Sequence, residues 1–308
     1  MKILITGGTN GMGKGVAQVL AGQSDPAHEI IILCRSEQLG EETIREITKD
    51  HGSYKHSIVL CDLTKLSDVK QAIAEIHEKH TYLDGVFVNA GLGYAAERTV
   101  TEDGCEAHFQ VNYLSHFMLC LNLLSLLEKS EQGGRIIFNV TKTKQDHICW
   151  DDLQMTDNWA FEKGIHQAMV AKRLFLQKLN YLYRRRGDLS LSFIGFQISK
   201  TVWSNQLNII PAYMRIMATL MKFLGTFISI EECGKIMMPL FVESADDSLQ
   251  KSGKLMTWRE DRFREMEEDA TVLDKELQDR LWQTSLELCS DARTIQIAEH
   301  LERQSQGA

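Results

Sequence analysis

Proline is scarce, with three (Pro26, Pro211 and Pro239) in 308 residues, and no Ser/Gly/Pro-rich stretch interrupts the chain. A flexible linker is thereby excluded, and one continuous domain is expected. The seven cysteines (Cys34, Cys61, Cys105, Cys120, Cys149, Cys233 and Cys289) include no C-x-x-C pair and no spacing suited to metal ligands, so neither a disulfide framework nor a metal site is expected. Their scatter through strand-like and helix-like runs suits buried thiols in a reducing, cytoplasmic setting. Positive charge is not in excess: 34 Lys and Arg stand against 42 Asp and Glu, a net charge of −8, and nothing global steers the chain toward nucleic acid. No apolar run reaches membrane-span length, because Pro211, Arg215 and Lys222 break the most apolar region, 202–230. The opening Met-Lys-Ile-Leu-Ile-Thr-Gly-Gly lacks the features of an export signal, and none is expected.

What is present is the balance of a globular protein, 44% hydrophobic and 25% charged. Short apolar runs at Ile3–Ile5, Glu29–Cys34, Ser57–Leu60, Gly85–Val88, Arg135–Asn139 and Leu189–Phe196 read as strands. Helix-period stretches at Gly13–Leu20, Gly40–Lys49, Leu66–His80, Glu106–Leu127 and Lys163–Arg184 separate them. Such alternation implies right-handed crossovers and a doubly wound parallel sheet with helices on both faces. Residues 1–290 are expected to form this single α/β domain, with a late strand at Lys254–Thr257, a late helix at Thr271–Cys289 and 291–308 as a surface extension. Within 200–250, Met214, Ile216, Met217, Leu220, Met221, Phe223 and Leu224 make an apolar stripe. A cover over a substrate pocket is favoured for it, ahead of contact with a membrane surface.

The chemistry begins where the first strand runs into Thr6-Gly7-Gly8-Thr9-Asn10-Gly11-Met12-Gly13-Lys14. Strand, glycine turn and helix in that order bring backbone N–H groups up to a pyrophosphate at a positive helix end, so Gly7, Thr9, Asn10, Gly11, Met12 and Gly13 are the candidate dinucleotide residues. The second strand ends Leu33-Cys34-Arg35-Ser36 with no acid to take a ribose 2′-OH. Arg35, with Ser36 and Lys14 nearby, therefore points to a 2′-phosphate and to NADP(H) rather than NAD.

These residues carry a resemblance to the short-chain dehydrogenase/reductase family, and to its retinol-dehydrogenase-like branch, over most of 1–290. Thr6 to Gly13 matches the family's T-G-x-x-x-G-x-G, Asp62-Leu63 the pair that meets the adenine, and Asn89-Ala90-Gly91 its N-A-G. Asn112, in Val111-Asn112-Tyr113-Leu114-Ser115-His116-Phe117, matches the catalytic-site asparagine, and Leu281-Trp282-Gln283-Thr284-Ser285 resembles the branch's terminal helix. The resemblance implies a Rossmann-like fold and a hydride-transfer site. In it a Tyr is the acid/base, a Ser holds the substrate oxygen, a Lys lowers the Tyr pKa and binds the nicotinamide ribose, and the Asn anchors a water.

The sequence departs from that pattern at the reacting end. Gly134 to Thr141 aligns without a gap and puts Thr141 at the serine position, keeping a hydroxyl. Ala168-Met169-Val170-Ala171-Lys172 keeps the lysine at Lys172 but places Ala168 where the tyrosine belongs, one helical turn away on the same face. Phe196-Gln197 stands where the family has P-G. Lys142, Lys144, His147, His166 and Tyr94 are the candidate replacement acids, each with a surface or packing role favoured over catalysis; the acidic stretch Glu265–Asp269 is expected to face solvent. Two readings follow. One is an atypical NADP-dependent oxidoreductase acting on a carbonyl or alcohol of a small hydrophobic molecule, using Asn112, Thr141 and Lys172. The other is a non-redox or inactive relative that binds the cofactor as a regulatory or partner subunit, or catalyses another reaction in the same pocket. Association with a second copy or another chain stays open.

Overall fold

The computed structural model describes residues 1–23, 27–49, 55–187, 189–202 and 226–307. Eight strands form the main sheet: β1 (Lys2–Thr6), β2 (Glu29–Cys34), β3 (Ser57–Leu60), β4 (Gly85–Val88), β5 (Gly134–Asn139), β6 (Leu191–Gln197), β9 (Leu255–Arg259) and β10 (Arg262–Met266). Their spatial order is β10-β9-β6-β5-β4-β1-β2-β3. All neighbours pair in parallel except β9 and β10, an antiparallel edge hairpin that the sequence pattern does not announce. A separate two-stranded pair joins β7 (Thr201–Val202) to β8 (Phe227–Ile228). The central strands are buried on both faces, as helices on both sides require, and therefore read as continuous Ile/Leu/Val/Phe runs. The strand order reverses between β1 and β4, which opens a crevice at their carboxyl ends where such sheets bind ligands.

One helical layer comprises α1 (Gly11–Ala21), α2 (Glu37–Lys49) and α7 (Ile230–Val242), and the other α3 (Leu66–Lys79), α5 (Ser115–Leu127) and α6 (Phe161–Arg185). The stretch expected as one helix from Glu106 is a short α4 (Ala107–Phe109), a π-helical turn at Gln110–Leu114, then α5. A π turn adds a residue to the ladder and commonly marks a functional position, and Asn112 lies in it. Towards the end come α8 (Ala245–Lys251), α9 (Ala270–Leu273), α10 (Lys275–Cys289) and α11 (Ala292–Gln306). The expected helix from Thr271 is thus split at Asp274, whose side chain accepts from the N–H groups of Glu276 and Leu277 and caps α10. The stretch after Ser290, expected as a surface extension, winds into α11 and buries Ala298 and Leu301 against α5 and α6. Among the described residues no helix is long and apolar enough to cross a membrane. The stripe from Met214 to Leu224, and with it the expected pocket cover, lies outside the described residues.

Two devices fix α7. Arg135, fully buried at the start of β5, donates through Nη1 to the carbonyls of Leu240 (3.3 Å) and Glu243 (3.0 Å), satisfying acceptors left open at a helix end. At the other end α7 meets α1 backbone to backbone. A Cβ on Gly15 would fall 1.9 Å from the Ile230 carbonyl oxygen, and one on Gly234 would fall 2.2 Å from the Gly15 carbonyl oxygen. Gly234→Ala is expected to overpack this contact and destabilise the chain by about 2 to 3 kcal/mol in urea unfolding, whereas exposed Lys235→Ala stays within about 0.5 kcal/mol. Equal midpoints for the two variants would show that the helices separate without cost.

Candidate functional site

The site assembles where β1, β4 and β5 end. Thr6 closes β1 with a buried hydroxyl that accepts the N–H groups of Asn89 (2.9 Å) and Ala90 (3.0 Å) and donates to the Phe87 carbonyl (3.2 Å). His116 Nε2 lies 3.0 Å from the same oxygen. Asn89 returns the contact through Nδ2, which donates to the carbonyl oxygens of Thr6 (3.0 Å) and Gly7 (3.4 Å). Gly7 takes the left-handed backbone conformation at φ 69° that the turn out of β1 needs. Packing around the turn leaves no room for a side chain on Gly13, where a Cβ would sit 2.5 Å from the Gly7 carbonyl oxygen and 2.6 Å from Asn89 Nδ2. Asn10 caps α1 by accepting the Gly11 N–H at 2.8 Å, and Thr9, Asn10, Gly11 and Met12 are all partly open to solvent around that helix start. The first-turn N–H groups of a helix have no intrahelical partner, so this end suits a bound anion.

The adenine-side residues lie along the ends of β2 and β3. Arg35 is exposed and Ser36 accepts the Leu39 N–H at the start of α2 (3.3 Å). Lys14, grouped with Arg35 on sequence grounds, instead pairs with Glu46 of α2 at 2.6 Å. Asp62 Oδ1 accepts the backbone N–H and hydroxyl of Thr64, which shapes the turn into α3, and Leu63 is buried.

A chain of hydrogen bonds continues from the glycine turn to α6. Asn139 Nδ2 donates to Asn89 Oδ1 (3.2 Å), and Lys172 Nζ donates to the Asn139 carbonyl (3.2 Å). Lys172 is 2% exposed, and burial, partly opposed by Cys120, pulls its pKa from the ordinary 10.5 down to about 7. Burial, with the Lys172 charge nearby, holds His116 well below its ordinary value and keeps it neutral. Ala168 is fully buried one turn before Lys172. Asn112 clamps the loop after β4 by accepting the Leu92 N–H at 2.6 Å and donating to the Leu92 carbonyl at 3.1 Å. Gly91, beside it, is exposed, and so is Thr141, two residues beyond Asn139.

The remaining candidate acids are placed as follows. His147 is exposed and contacts Asp146 (3.2 Å), Lys144 is exposed, and His166 is partly buried on α6. Tyr94 packs its ring against Phe161 at the start of α6, with centroids 5.0 Å apart. Lys142 is engaged by Asp269 (2.8 Å) and the Glu267 carbonyl (2.8 Å), while its N–H donates to Gln197 Oε1 (2.6 Å) and ties the Thr141 loop to the end of β6.

The acidic stretch corrects an expectation: its last two residues turn inward. Arg173, 1% exposed and next to Lys172, pairs through Nη1 with Glu268 (2.6 Å) and Asp269 (2.8 Å). Burial raises the pKa of Glu268 in spite of the nearby Arg173 and Lys142 charges. For Asp269 burial acts in the same direction but is outweighed by hydrogen bonds from Lys142 and Arg173, and its pKa falls. A cation in a helix interior gives no sequence signal of its partners, so this network was not legible beforehand. His116 was closer to legible, since it lies four residues after Asn112. An open groove of about 620 Å³ beside Lys142 is lined by Thr257, Arg259, Arg264, Glu265 and Met266 among others. Its charged walls do not match an apolar substrate.

A family model described as short chain dehydrogenase matches residues 1–147. Human polyprenol dehydrogenase is 29% identical over 189 residues, 60% of this chain and 56% of that protein, and human retinol dehydrogenase 13 is 30% identical over 179 residues, 58% and 53%. The chain is similar to the short chain dehydrogenases through this match and these relatives. The relatives named for retinol and polyprenol agree with the retinol-dehydrogenase-like branch, and the family resemblance drawn from its motifs holds. The chain spans a little over half the length of these curated relatives. L-Sorbose reductase from Gluconobacter frateurii, solved with NADPH and L-sorbose, shares the fold, with a TM-score of 0.63 over 83% of this chain and 94% of that one at 15% identity. Nicotinamide cofactors belong to the family's chemistry, and the glycine turn packed on Asn89 fits such a group.

Lys172 makes a stability test. Because its folded pKa lies below the unfolded one, the amine's contribution is full above about pH 10.5 and is lost as pH falls towards about 7. Lys172→Met is therefore expected to gain stability relative to the parent more at pH 6.5 than at pH 9.5, by on the order of tenfold or more in the unfolding constant. A difference independent of pH would mean that the buried amine keeps its ordinary pKa.

Proposed function

We propose that the chain is an NADP(H)-dependent oxidoreductase that interconverts a carbonyl and an alcohol on a small hydrophobic molecule. The observation that carries the proposal is the close-packed turn of Gly7 and Gly13 on Asn89, joined by hydrogen bonds through Asn139 to Lys172. In this reading Thr9, Asn10, Gly11 and Met12 line the pyrophosphate, Arg35 and Ser36 meet a 2′-phosphate, and Asp62 and Leu63 flank the adenine. Asn89, Ala90 and Gly91 border the nicotinamide end, and Lys172 holds the neighbouring ribose. A nicotinamide dinucleotide, when bound, supplies or accepts the hydride. The Thr141 hydroxyl orients the substrate oxygen, Asn112 keeps the Leu92 loop in place, and solvent reaching the exposed Thr141 side provides the proton that Ala168 cannot.

A hydrophobic substrate is supported by the relatives named for polyprenol and retinol and by the Met-rich stretch within 200–250, read as the pocket cover of a single 1–290 domain. The cytoplasm remains the location this reading favours. Ala168 supports the second reading, a cofactor-binding subunit without redox turnover or an enzyme of another class, because an alanine leaves the family's proton-transfer position without a titratable group.

Calorimetric titration of the chain with NADPH, NADP⁺, NADH and NAD⁺ is the test, and preference for the phosphorylated pair is expected. Arg35→Asp should reduce that preference by at least about tenfold, the worth of one charge-assisted contact. Ala168→Tyr should create or raise NADPH-dependent reduction across a panel of carbonyl compounds. Failure to bind any of the four would refute the cofactor assignment, and binding without turnover in the parent would favour the second reading.

A further inference from the structure

A buried charged pair beside the cleft is used by none of the roles above. Glu106 and His108, at 1% and 2% exposure, flank the start of α4. His108 Nδ1 lies 2.9 Å from Glu106 Oε1, and Nε2 lies 2.8 Å from the Gly93 carbonyl oxygen. A carbonyl oxygen can only accept, so Nε2 carries a hydrogen. The carboxylate facing Nδ1 already accepts the Trp159 indole N–H on Oε1 (3.2 Å) and the Phe109 N–H on Oε2 (2.8 Å), the surroundings of an ionised acid. Nδ1 then carries a hydrogen too, and the ring is an imidazolium. The pKa directions agree. Burial works against the cation, but the hydrogen bonds to Glu106 and Gly93 outweigh it and hold His108 above its ordinary value. Burial likewise opposes the Glu106 charge, yet the hydrogen bonds from His108 and Phe109 keep that carboxyl below its ordinary range.

The pair joins two loops. Gly93 sits between Leu92, held by Asn112, and Tyr94, packed on Phe161. Trp159 leads into α6, which carries Ala168 and Lys172. A neutral imidazole has one N–H and cannot serve Glu106 and Gly93 together. Glu106 is the charged group that faces the ring among the described residues. The loop before α6 presents the Trp159 indole, its ring 6.2 Å away, α6 presents the backbone at Gly164, and the loop after β4 presents the Gly93 carbonyl.

We infer that Glu106 and His108 are positioning residues for the cleft, an imidazolium clasp that draws the Leu92–Tyr94 loop against Trp159 and makes dinucleotide affinity depend on pH. The inference rests on the reading of this cleft as the NADP(H) site. His108, with its raised pKa, keeps the clasp fully closed below the ordinary imidazole value of about 6.5 and loses it as pH rises through the raised value. Glu106, with its lowered pKa, gives way only as pH falls through that lowered value.

The test pairs two readouts on the full chain across pH 6 to 9. The first, without ligand, is amide hydrogen exchange in the peptide spanning 92–96, corrected for the intrinsic pH dependence of exchange. It should rise about tenfold or more in the parent as His108 deprotonates and be high and flat in His108→Gln. The second is calorimetric affinity for NADPH, which should weaken several-fold over the same window in the parent alone. Exchange that is flat in the parent overturns the clasp even if the variant fails to fold. Loosening without a matching change in measured NADPH affinity overturns the positioning role. Loosening with no NADPH binding at any pH leaves the clasp supported as a structural device and refutes the cofactor reading on which its purpose rests.

Discussion

The Thr6 hydroxyl is the contact on which the rest of the site depends. One oxygen at the end of β1 gathers two backbone N–H groups from the end of β4 and lies beside His116, where the strand order reverses. The crevice of a doubly wound sheet opens at that reversal, and the hydroxyl ties the β1 and β4 ends together just beyond their paired residues. Because the hydroxyl pins Asn89, Asn89 can turn its amide onto the Gly7 carbonyl and its own carbonyl toward Asn139, and Asn139 in turn receives Lys172. The glycine turn, the loop after β4 and α6 are therefore set by one succession of polar contacts rather than separately by packing.

Three buried cations show how differently the fold treats positive charge. Arg135 is surrounded by carbonyl oxygens at the end of α7 and serves as a structural cap. Arg173 has two carboxylates drawn in from the segment after β10. Lys172, its neighbour in sequence, has a single carbonyl and no acid, and its charge is correspondingly weakly supported. An arginine cannot shed its proton and must be given partners, whereas a lysine can be left poised. The two adjacent residues, about 100° apart round one helix, are thus held by opposite means, one by carboxylates and the other by a lone carbonyl.

The sheet and the glycine turn were legible because they rest on local signals. Apolar runs at Glu29–Cys34 and Gly85–Val88 are read from composition alone, and Thr6 to Gly13 from spacing. What stayed hidden depends on distant partners. The late strand at Lys254–Thr257 is found as β9, but its antiparallel partner β10 is held by that pairing, the inward turn of Glu268 and Asp269 by a residue nearly a hundred positions earlier, and the burial of α11 by α5 and α6. The π turn at Gln110–Leu114 was hidden for another reason, since its residues keep helical periodicity and only the ladder changes. Glu106 and His108 look like ordinary surface residues in sequence, and only the Gly93 carbonyl and Trp159 give them a buried purpose.

The glycine contact between α1 and α7 has a consequence for the order in which the molecule assembles. Gly15 and Gly234 are separated by more than two hundred residues, yet α1 is the helix whose first turn lines the crevice. Bringing such remote segments together is slow relative to local pairing. During synthesis the nascent chain can pair β1 with β2 early, but the outer face of α1 stays bare until the last quarter of the polypeptide has emerged. A truncated chain ending before Ile230 would thus carry every glycine of the phosphate turn and still leave the Gly15 flank of α1 without its partner helix.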